Sequence, residues 1–183
     1  VNEIIFKPFS MMSDAIKSFA EQFSYNPIIE GGKLKKYKKY ILSGMGGSHL
    51  AADLARIYDH SLPLIIRSDY GLPRQLSDKE LKDTLFIASS YSGNTEEVID
   101  ALKTALKKNI PVAVIAVGGE LIKLAKKHHL PYIQLPNTGI QPRSALGFSL
   151  KALFKILGDD KALKECGTLA QKLNPTEIEE AGK

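Results

Sequence analysis

The sequence predicts an α/β fold: a five-stranded parallel sheet flanked by helices. From residue 40 onward, short apolar runs alternate with helix-like stretches of about 10–15 residues, the pattern of parallel βαβ units. The apolar runs are continuous rather than interrupted by polar residues, as expected of strands buried on both faces. The predicted strands are Tyr40–Ser43, Leu64–Arg67, Leu85–Ser89, Val112–Val117 and Tyr132–Leu135.

The stretches around these strands predict helices, of which Glu96–Lys108 carries the clearest local signals. Asn94 is the expected cap, and Glu97 stands at the spacing of a capping box. Asn109 and Pro111 end the helix. The other helices predicted in this region are Ser48–Tyr58, Glu120–His128, Ala145–Leu157 and Lys161–Leu173.

An N-terminal amphipathic helix is predicted ahead of the sheet, over residues 10–23, and Asn26-Pro27 ends it. Apolar residues at helical spacing form one face of this helix, which we expect to be its packed side. That face consists of Phe9, Met12, Ile16, Phe19 and Phe23.

The composition is that of a globular protein and excludes several other classes. The 183 residues are 44% hydrophobic, which is enough for one domain with a sizeable core. Cys166 is the only cysteine, so a disulfide scaffold and a Cys/His zinc site are both excluded. No apolar run approaches the ~18 residues of a membrane span and no signal peptide is recognisable, so a reduced, cytoplasmic setting is expected.

The charge balance is 25 − 20 = +5, which suits an anionic partner without choosing one. The lysine-rich stretch Lys33–Lys39 is interpreted as a solvated approach to the first strand. Nucleic acid is not an expected partner, because the chain lacks a basic face interleaved with aromatic residues and has few arginines. The chain begins at Val1 and ends without a clear stop, so we expect it to be part of a longer protein.

Three segments follow predicted strands at the edge where open parallel sheets bind ligands. The first is the glycine loop (residues 43–48, Ser-Gly-Met-Gly-Gly-Ser), whose glycines permit a tight turn and close approach to a ligand. It is not a dinucleotide fingerprint, because His49 stands where the last glycine would fall, and it is not a P-loop. An ordinary strand-to-helix turn is the competing interpretation of this loop.

The other two segments carry hydroxyl groups and an arginine. In the hydroxyl loop (residues 89–95), Ser90, Ser92 and Thr95 surround a glycine just before a helix, which predicts a phosphate cradle. Ordinary capping explains one or two of these hydroxyls but not all. In the arginine loop (residues 139–144), Arg143 stands in a Pro-containing turn and is a candidate ligand for an oxyanion or hydroxyl; a surface arginine is the alternative.

Together the three loops resemble a known family. GMGGS at 44–48, SYSGNTEE at 90–97 and QPRSALG at 141–147 resemble the sugar isomerase (SIS) domain, and more narrowly the N-terminal SIS domain of the bifunctional phosphoglucose/phosphomannose isomerases. The resemblance implies a flavodoxin-like sheet and a phosphate site at Ser90, Ser92 and Thr95. It further implies that Gly46, Gly47 and Ser48 lie against the sugar, and that Arg143 stabilises charge on an enediol intermediate.

The resemblance also divides the chain. It implies an N-terminal helix and linker over 1–34, a SIS domain over 35–173, and a tail or linker over 174–183 that leads to a second SIS domain. In the family, that second domain supplies the glutamate that acts as base. We therefore expect this chain to bind a phosphorylated hexose without a cofactor or metal, and to need a second SIS domain or a homodimer partner for turnover.

Two alternatives remain open from the sequence. The chain is either half of an aldose–ketose isomerase acting on glucose 6-phosphate or mannose 6-phosphate, or a non-catalytic SIS module that senses a sugar phosphate. His49 departs from the small residue that usually follows GGS in the family. Both a catalytic role and a surface or interface position are considered for it.

Overall fold

The computed structural model describes residues 12–74, 76–175 and 177. Its five strands form a single parallel sheet in the order β2-β1-β3-β4-β5, which confirms the predicted fold class. The chain crosses over after β2, so the sheet grows outward in both directions from β1. The strands are β1 (Lys39–Ser43), β2 (Leu64–Arg67), β3 (Thr84–Ser89), β4 (Val112–Ala116) and β5 (Tyr132–Gln134).

Helices cover both faces of the sheet, because successive side chains of each strand point to opposite sides. In β1, Leu42 faces the core formed with α2 and α6, whereas Ile41 faces the core formed with α4 and α5. The α-helices are α1 (Met12–Lys17), α2 (Leu50–Tyr58), α3 (Asp78–Lys82), α4 (Glu96–Lys107), α5 (Gly119–Lys127), α6 (Leu146–Leu157) and α7 (Asp160–Lys172). In the part of the chain that the structure describes, no helix combines the length and apolar character needed to cross a bilayer.

The predicted N-terminal helix over 10–23 is wrong as a single element. Its described part consists of α1 followed by a 3-10 helix over Phe19–Ser24, while Phe9 and residues 10–11 lie outside the described residues. A tertiary contact holds the 3-10 helix in place, because Lys151 of α6 donates a 2.6 Å hydrogen bond to the Phe23 carbonyl. Phe23 is buried, but Met12 and Ile16 of the predicted apolar face are 46% and 56% exposed.

One local expectation is also corrected, and one helix was missed. Thr95, not Asn94, is the N-cap of α4; the Asn94 side chain instead accepts a 2.9 Å hydrogen bond from the Glu120 backbone N–H in α5. Helix α3 was not expected, although Ser77 and Glu80 form a capping box that is recognisable from the sequence.

The segment before β1 covers an edge of the sheet. Glu30 and Tyr132 exchange two backbone hydrogen bonds of 2.8 and 2.9 Å in an antiparallel bridge, so the edge strand β5 is partly shielded. Ala15 and Phe23 belong to the same core as α2 and α6. The domain boundary at residue 35 stays a prediction.

Candidate functional site

The three loops predicted to carry chemistry meet at the carboxyl edge of the sheet. The glycine loop follows β1, the hydroxyl loop follows β3, and the arginine loop follows β5 after a short extended stretch. β1 and β3 are neighbours at the centre of the sheet, so the first two loops leave it side by side.

Ser48 joins the glycine loop to the hydroxyl loop. Its side-chain oxygen accepts a 3.1 Å hydrogen bond from the Tyr91 N–H, and its carbonyl accepts a 3.0 Å bond from the Ser89 hydroxyl. Ser48 is buried, and its hydroxyl therefore orders the two loops relative to each other. A contact between Ser48 and a sugar stays a prediction.

Gly47 joins the glycine loop to the arginine loop by close backbone contact. A Cβ atom at Gly47 would lie 2.6 Å from the Arg143 nitrogen and 2.7 Å from its Cα, both backbone atoms. Only glycine therefore permits this approach. Gly46 is exposed and adopts a positive φ of 53°, with nothing near its own Cβ position. The sequence placed both glycines in one turn, but only the structure separates their roles.

Arg143 is exposed and lies in a 3-10 turn over Pro142–Ser144. It lines a groove of about 670 Å³, together with residues of α1 and the end of α7. A guanidinium in this position can reach a ligand above the sheet edge while its backbone stays held against Gly47. Its action on a reaction intermediate stays a prediction.

The hydroxyl loop separates the roles of its three predicted residues. Ser90 is 1% exposed; its hydroxyl pairs with the Thr95 hydroxyl at 2.7 Å and accepts a 3.1 Å bond from the Gly93 N–H. Ser92 is exposed, and its hydroxyl accepts a 3.2 Å bond from the Asn94 N–H. Ser90 thus shapes the loop, whereas Ser92 and the half-buried Thr95 stand where a ligand can reach them.

The N-terminus of α4 is suited to an anion. Thr95 is its cap residue, yet the Thr95 side chain makes no capping hydrogen bond to the helix, since its hydroxyl is paired with Ser90. The first-turn N–H groups of this 12-residue helix therefore receive no hydrogen bond acceptor from the cap side chain and are available to another acceptor. A phosphate placed at this helix end would meet these N–H groups and the positive end of the helix dipole.

The turn between β4 and α5 packs against the hydroxyl loop and supports it. Gly93 has a φ of 73°, and a Cβ there would collide with the Gly118 carbonyl. Asn94 accepts a hydrogen bond from the Glu120 N–H in the first turn of α5. The hydroxyl loop is therefore fixed by an element that the sequence analysis did not connect with it.

Gln22 is a supporting residue that sequence reasoning missed. Its side chain donates to the Ser144 carbonyl at 2.6 Å and accepts from the Gly147 N–H at 3.0 Å, and it is 2% exposed. It thereby holds the end of the arginine loop and the start of α6. A lone glutamine in an amphipathic segment carries no pattern that could have identified it.

A fourth segment, residues 67–71 at the end of β2 and just beyond it, also reaches this edge and was missed. Ser68 donates a 2.9 Å hydrogen bond to the Gly44 carbonyl, and Arg67 donates at 2.8 Å to the Tyr70 carbonyl. Desolvation raises the pKa of Tyr70, and the carboxylates of Glu96 and its neighbours in α4 raise it further. Tyr70 therefore lies within electrostatic range of the acidic first turns of α4.

His49 lies at the start of α2 and pairs with Asp53. Its Nδ1 is 2.7 Å from an Asp53 carboxylate oxygen, one helical turn further on. Both side chains are partly exposed. The pairing explains the histidine as a local helix-start contact, which agrees with the surface position considered for it from the sequence. Among the residues that the structure describes, no cluster of three His, Cys, Asp or Glu side chains could hold a metal ion.

Comparison with known proteins identifies relatives, although no family model matches the sequence. The chain is 39% identical over 132 residues to the bifunctional phosphoglucose/phosphomannose isomerase of Caldicellulosiruptor bescii, covering 69% of this chain and 38% of that protein. It is 31% identical over 172 residues to the protein of the same name from Aquifex aeolicus, covering 92% of this chain and 52% of that protein. The chain thus spans at most about half the length of these curated relatives.

Among solved structures, a Bacillus subtilis protein assigned as a phosphosugar isomerase matches with a TM-score of 0.50 at 16% identity. The match covers 87% of this chain and 52% of that one, and it shows the fold. The parallel sheet with its loops at the carboxyl edge is that of a SIS domain. The chain belongs to the family of the bifunctional phosphoglucose/phosphomannose isomerases, as a SIS domain of that family.

Proposed function

We propose that this chain binds a phosphorylated hexose at the carboxyl edge of its sheet, with the phosphate at the N-terminus of α4. The observation that carries this proposal is the cap of α4: the Thr95 hydroxyl is paired with Ser90, so it does not occupy the first-turn N–H groups. Ser92 and Thr95 stand beside the same helix end and supply hydroxyl donors.

With the phosphate on α4, the sugar extends toward the glycine and arginine loops. Ser48 ties the glycine loop to the hydroxyl loop, and Gly47 lies against the Arg143 backbone. Gly46 and Gly47 let the sugar approach the backbone closely. Moving a proton between the first two sugar carbons builds negative charge on an enediolate, which the Arg143 guanidinium stabilises.

We infer that the chain serves an aldose–ketose isomerase that interconverts glucose 6-phosphate, and also mannose 6-phosphate, with fructose 6-phosphate. The names of the curated relatives support this activity. The reaction needs a carboxylate base near the first two sugar carbons. Glu96 and Glu97 stand at the phosphate end instead, as first-turn residues of α4. A second SIS domain or a homodimer partner therefore supplies the base. The reaction needs no cofactor, and the proposed setting is cytoplasmic.

Protection against thermal unfolding by fructose 6-phosphate, compared with fructose and inorganic phosphate, tests the binding proposal. Fructose 6-phosphate should raise the midpoint more than either part alone, because the site contacts both ends of the ligand. Ser92→Ala combined with Thr95→Ala should weaken binding roughly tenfold or more, since hydrogen bonds to charged groups contribute about 1.5–3 kcal/mol. Thr168→Ala is the matched control, because that hydroxyl is exposed on α7 and donates to the Glu165 carbonyl.

Equal protection of the double variant and the control would refute the phosphate site. Ser90→Ala is a poorer probe, because the buried Ser90 hydroxyl accepts from Gly93 and shapes the loop. The external base is tested separately by an isomerase assay on this chain, with fructose 6-phosphate coupled to oxidation of glucose 6-phosphate. We expect no robust turnover, and robust turnover by this chain would require a base within it.

A further inference from the structure

A cavity of about 460 Å³ lies at the edge of the sheet opposite the three loops, and its volume is typical of small-molecule sites. Tyr40 at the start of β1 and Pro63 just before β2 line it. The C-terminal ends of α2 and α6 reach the same edge, since Tyr58 and Gly158 are also part of the lining. We call this space the amino-edge cavity. None of the residues assigned to the sugar-phosphate site lines it.

The lining of the amino-edge cavity is negatively charged. Among the described residues that line it, Asp59, Asp159 and Asp160 carry carboxylates and Lys36 carries the one ammonium group, a formal excess of two negative charges. The chain as a whole has the opposite sign, with a net charge of +5. Two helix C-termini add to the local negative charge, because a helix dipole is negative at this end. The cavity therefore suits a cation.

Two of the three carboxylates are each held through a single oxygen. Ser61 donates to Asp59 Oδ1 from its backbone N–H at 2.9 Å and from its hydroxyl at 2.6 Å. Asp159 Oδ1 accepts a 2.9 Å bond from the Ala162 N–H of α7. The bonds from Ser61 lower the pKa of Asp59, so this group is charged at neutral pH. Within the described part of the chain, neither Oδ2 accepts a hydrogen bond, so both are available to a ligand.

Aromatic rings supply much of the remaining lining. Tyr58 and Phe154 pack edge to face with their ring centroids 5.6 Å apart, and the Tyr58 hydroxyl donates a 2.8 Å bond to Glu165. These contacts fix the two rings without a ligand. Aromatic side chains beside carboxylates accept both the charge of an organic cation, through the ring faces, and its apolar chain.

Tyr40 provides a buried polar atom that the fold leaves without a partner. Its side chain is 5% exposed, and its hydroxyl makes no hydrogen bond with any described residue. Desolvation raises the pKa of Tyr37, and the neighbouring Tyr40 phenol raises it further, so the Tyr40 hydroxyl lies beside a second ring of the same lining. Buried hydroxyls are normally hydrogen-bonded, and a ligand in the cavity would supply the missing partner.

We propose that the amino-edge cavity binds a primary alkylammonium ion, a small organic cation with an apolar chain. Its three N–H donors match the Tyr40 hydroxyl and the open oxygens of Asp59 and Asp159, while its chain packs against the aromatic rings. A quaternary ammonium ion lacks the donors, and a metal ion lacks the chain. The proposal is independent of sugar-phosphate binding, which concerns the other edge of the sheet.

A nuclear magnetic resonance titration of the 15N-labelled chain with n-butylammonium, without sugar phosphate, tests this site. The comparison probes are n-butanol, which has the same chain but no charge, and tetramethylammonium, which has the charge but no N–H donor. Butylammonium should shift the backbone signals of Asp59, Gly158 and Asp160 saturably and bind roughly tenfold more tightly than either comparison probe. Binding no tighter than that of n-butanol or of tetramethylammonium would overturn the proposal.

The carboxylates are tested by combining Asp59→Asn with Asp160→Asn, which removes two charges and keeps the side-chain size. Butylammonium affinity should fall roughly tenfold or more. The matched control combines Asp83→Asn with Asp100→Asn, which removes two charges from exposed aspartates outside the cavity lining. The control should bind like the wild type. Equal losses in the two double variants would mean unspecific attraction to negative charge, and the proposed site would be wrong.

Tyr40→Phe tests the buried hydroxyl. The variant removes an atom that has no partner among the described residues, so the melting midpoint should not fall, whereas butylammonium affinity should fall roughly fivefold or more. Tyr132→Phe is the matched control, because that ring is also 5% exposed but its hydroxyl donates to Glu30. It should lower the midpoint and keep full affinity. Full affinity in Tyr40→Phe would also overturn the proposal.

Discussion

Replacing Gly47 by alanine tests whether the glycine and arginine loops act as one unit. The new Cβ would lie 2.6 Å from the Arg143 nitrogen, 2.7 Å from its Cα and 2.9 Å from the Pro142 carbonyl carbon. All three are backbone atoms, so no side-chain rotation relieves the contact. Restoring an ordinary separation of about 3.5 Å or more requires a shift of nearly 1 Å between the loops.

The expected loss follows from that displacement. Overpacking of this kind costs about 1–3 kcal/mol, which lowers the melting midpoint by roughly 2–12 °C at this chain length. Because Arg143 moves with its backbone, protection by fructose 6-phosphate should weaken roughly tenfold or more. Titration of the melting midpoint against ligand concentration measures both effects in one experiment.

Gly158→Ala is the matched control for this prediction. Gly158 caps the end of α6 that lies away from the arginine loop, and it has a positive φ of 69° with open space at its Cβ position, so alanine there costs about 1–2 kcal/mol of backbone strain without a collision. It should lower the midpoint yet leave ligand protection close to that of the wild type. If Gly47→Ala kept both the wild-type midpoint and full protection, coupling between the loops would be refuted.

Other predictions concern the supports of the site and one surface ion pair. Gln22→Met leaves two buried backbone groups of the arginine loop and α6 without partners, so it should destabilise the fold by about 2–4 kcal/mol in chemical denaturation. The exposed Gln134→Met should have little effect, and equal losses would contradict a special role for Gln22. A hydrogen bond from Lys39, together with bonds within the capping box, lowers the pKa of Glu80 to about 2. This group stabilises the fold above the unfolded pKa of 4.5 and loses that contribution as the pH falls toward 2. Lys39→Gln should therefore be less stable than wild type at neutral pH, with the difference shrinking in acid; a difference independent of pH would rule out this linkage.

Secondary structure was predictable from the sequence wherever several local signals agree. The strands were predictable because parallel strands buried on both faces must be continuously apolar, and each predicted run overlaps an observed strand. Helix α4 was predictable because its apolar face, acidic first turn and terminating Asn109 agree. Its cap was assigned wrongly, because Asn94 and Thr95 are both good cap residues and the contact with Glu120 lies outside the local sequence.

The N-terminal segment shows the limit of periodicity. A face of apolar residues at helical spacing predicted one continuous helix, but Met12 and Ile16 on that face are exposed while Ala15 is buried. Hydrophobic periodicity shows which residues could share a helix face, but it does not show which other element that face packs against. Here the hydrogen bond from Lys151 to Phe23 and the two bonds of Gln22 position the segment.

The sequence by itself determined the sheet, the edge that carries the loops, and the residue types that suit an anion, because these follow from short-range pattern and composition. Only the tertiary structure decided which of those residues are buried in supporting hydrogen bonds and which stay exposed. Ser48 is buried in hydrogen bonds between two loops and Ser90 in hydrogen bonds within the hydroxyl loop, whereas Ser92 and Arg143 are exposed. The physical reason is that a hydroxyl can serve a backbone partner or a ligand equally well, and only long-range packing determines which of the two lies within reach.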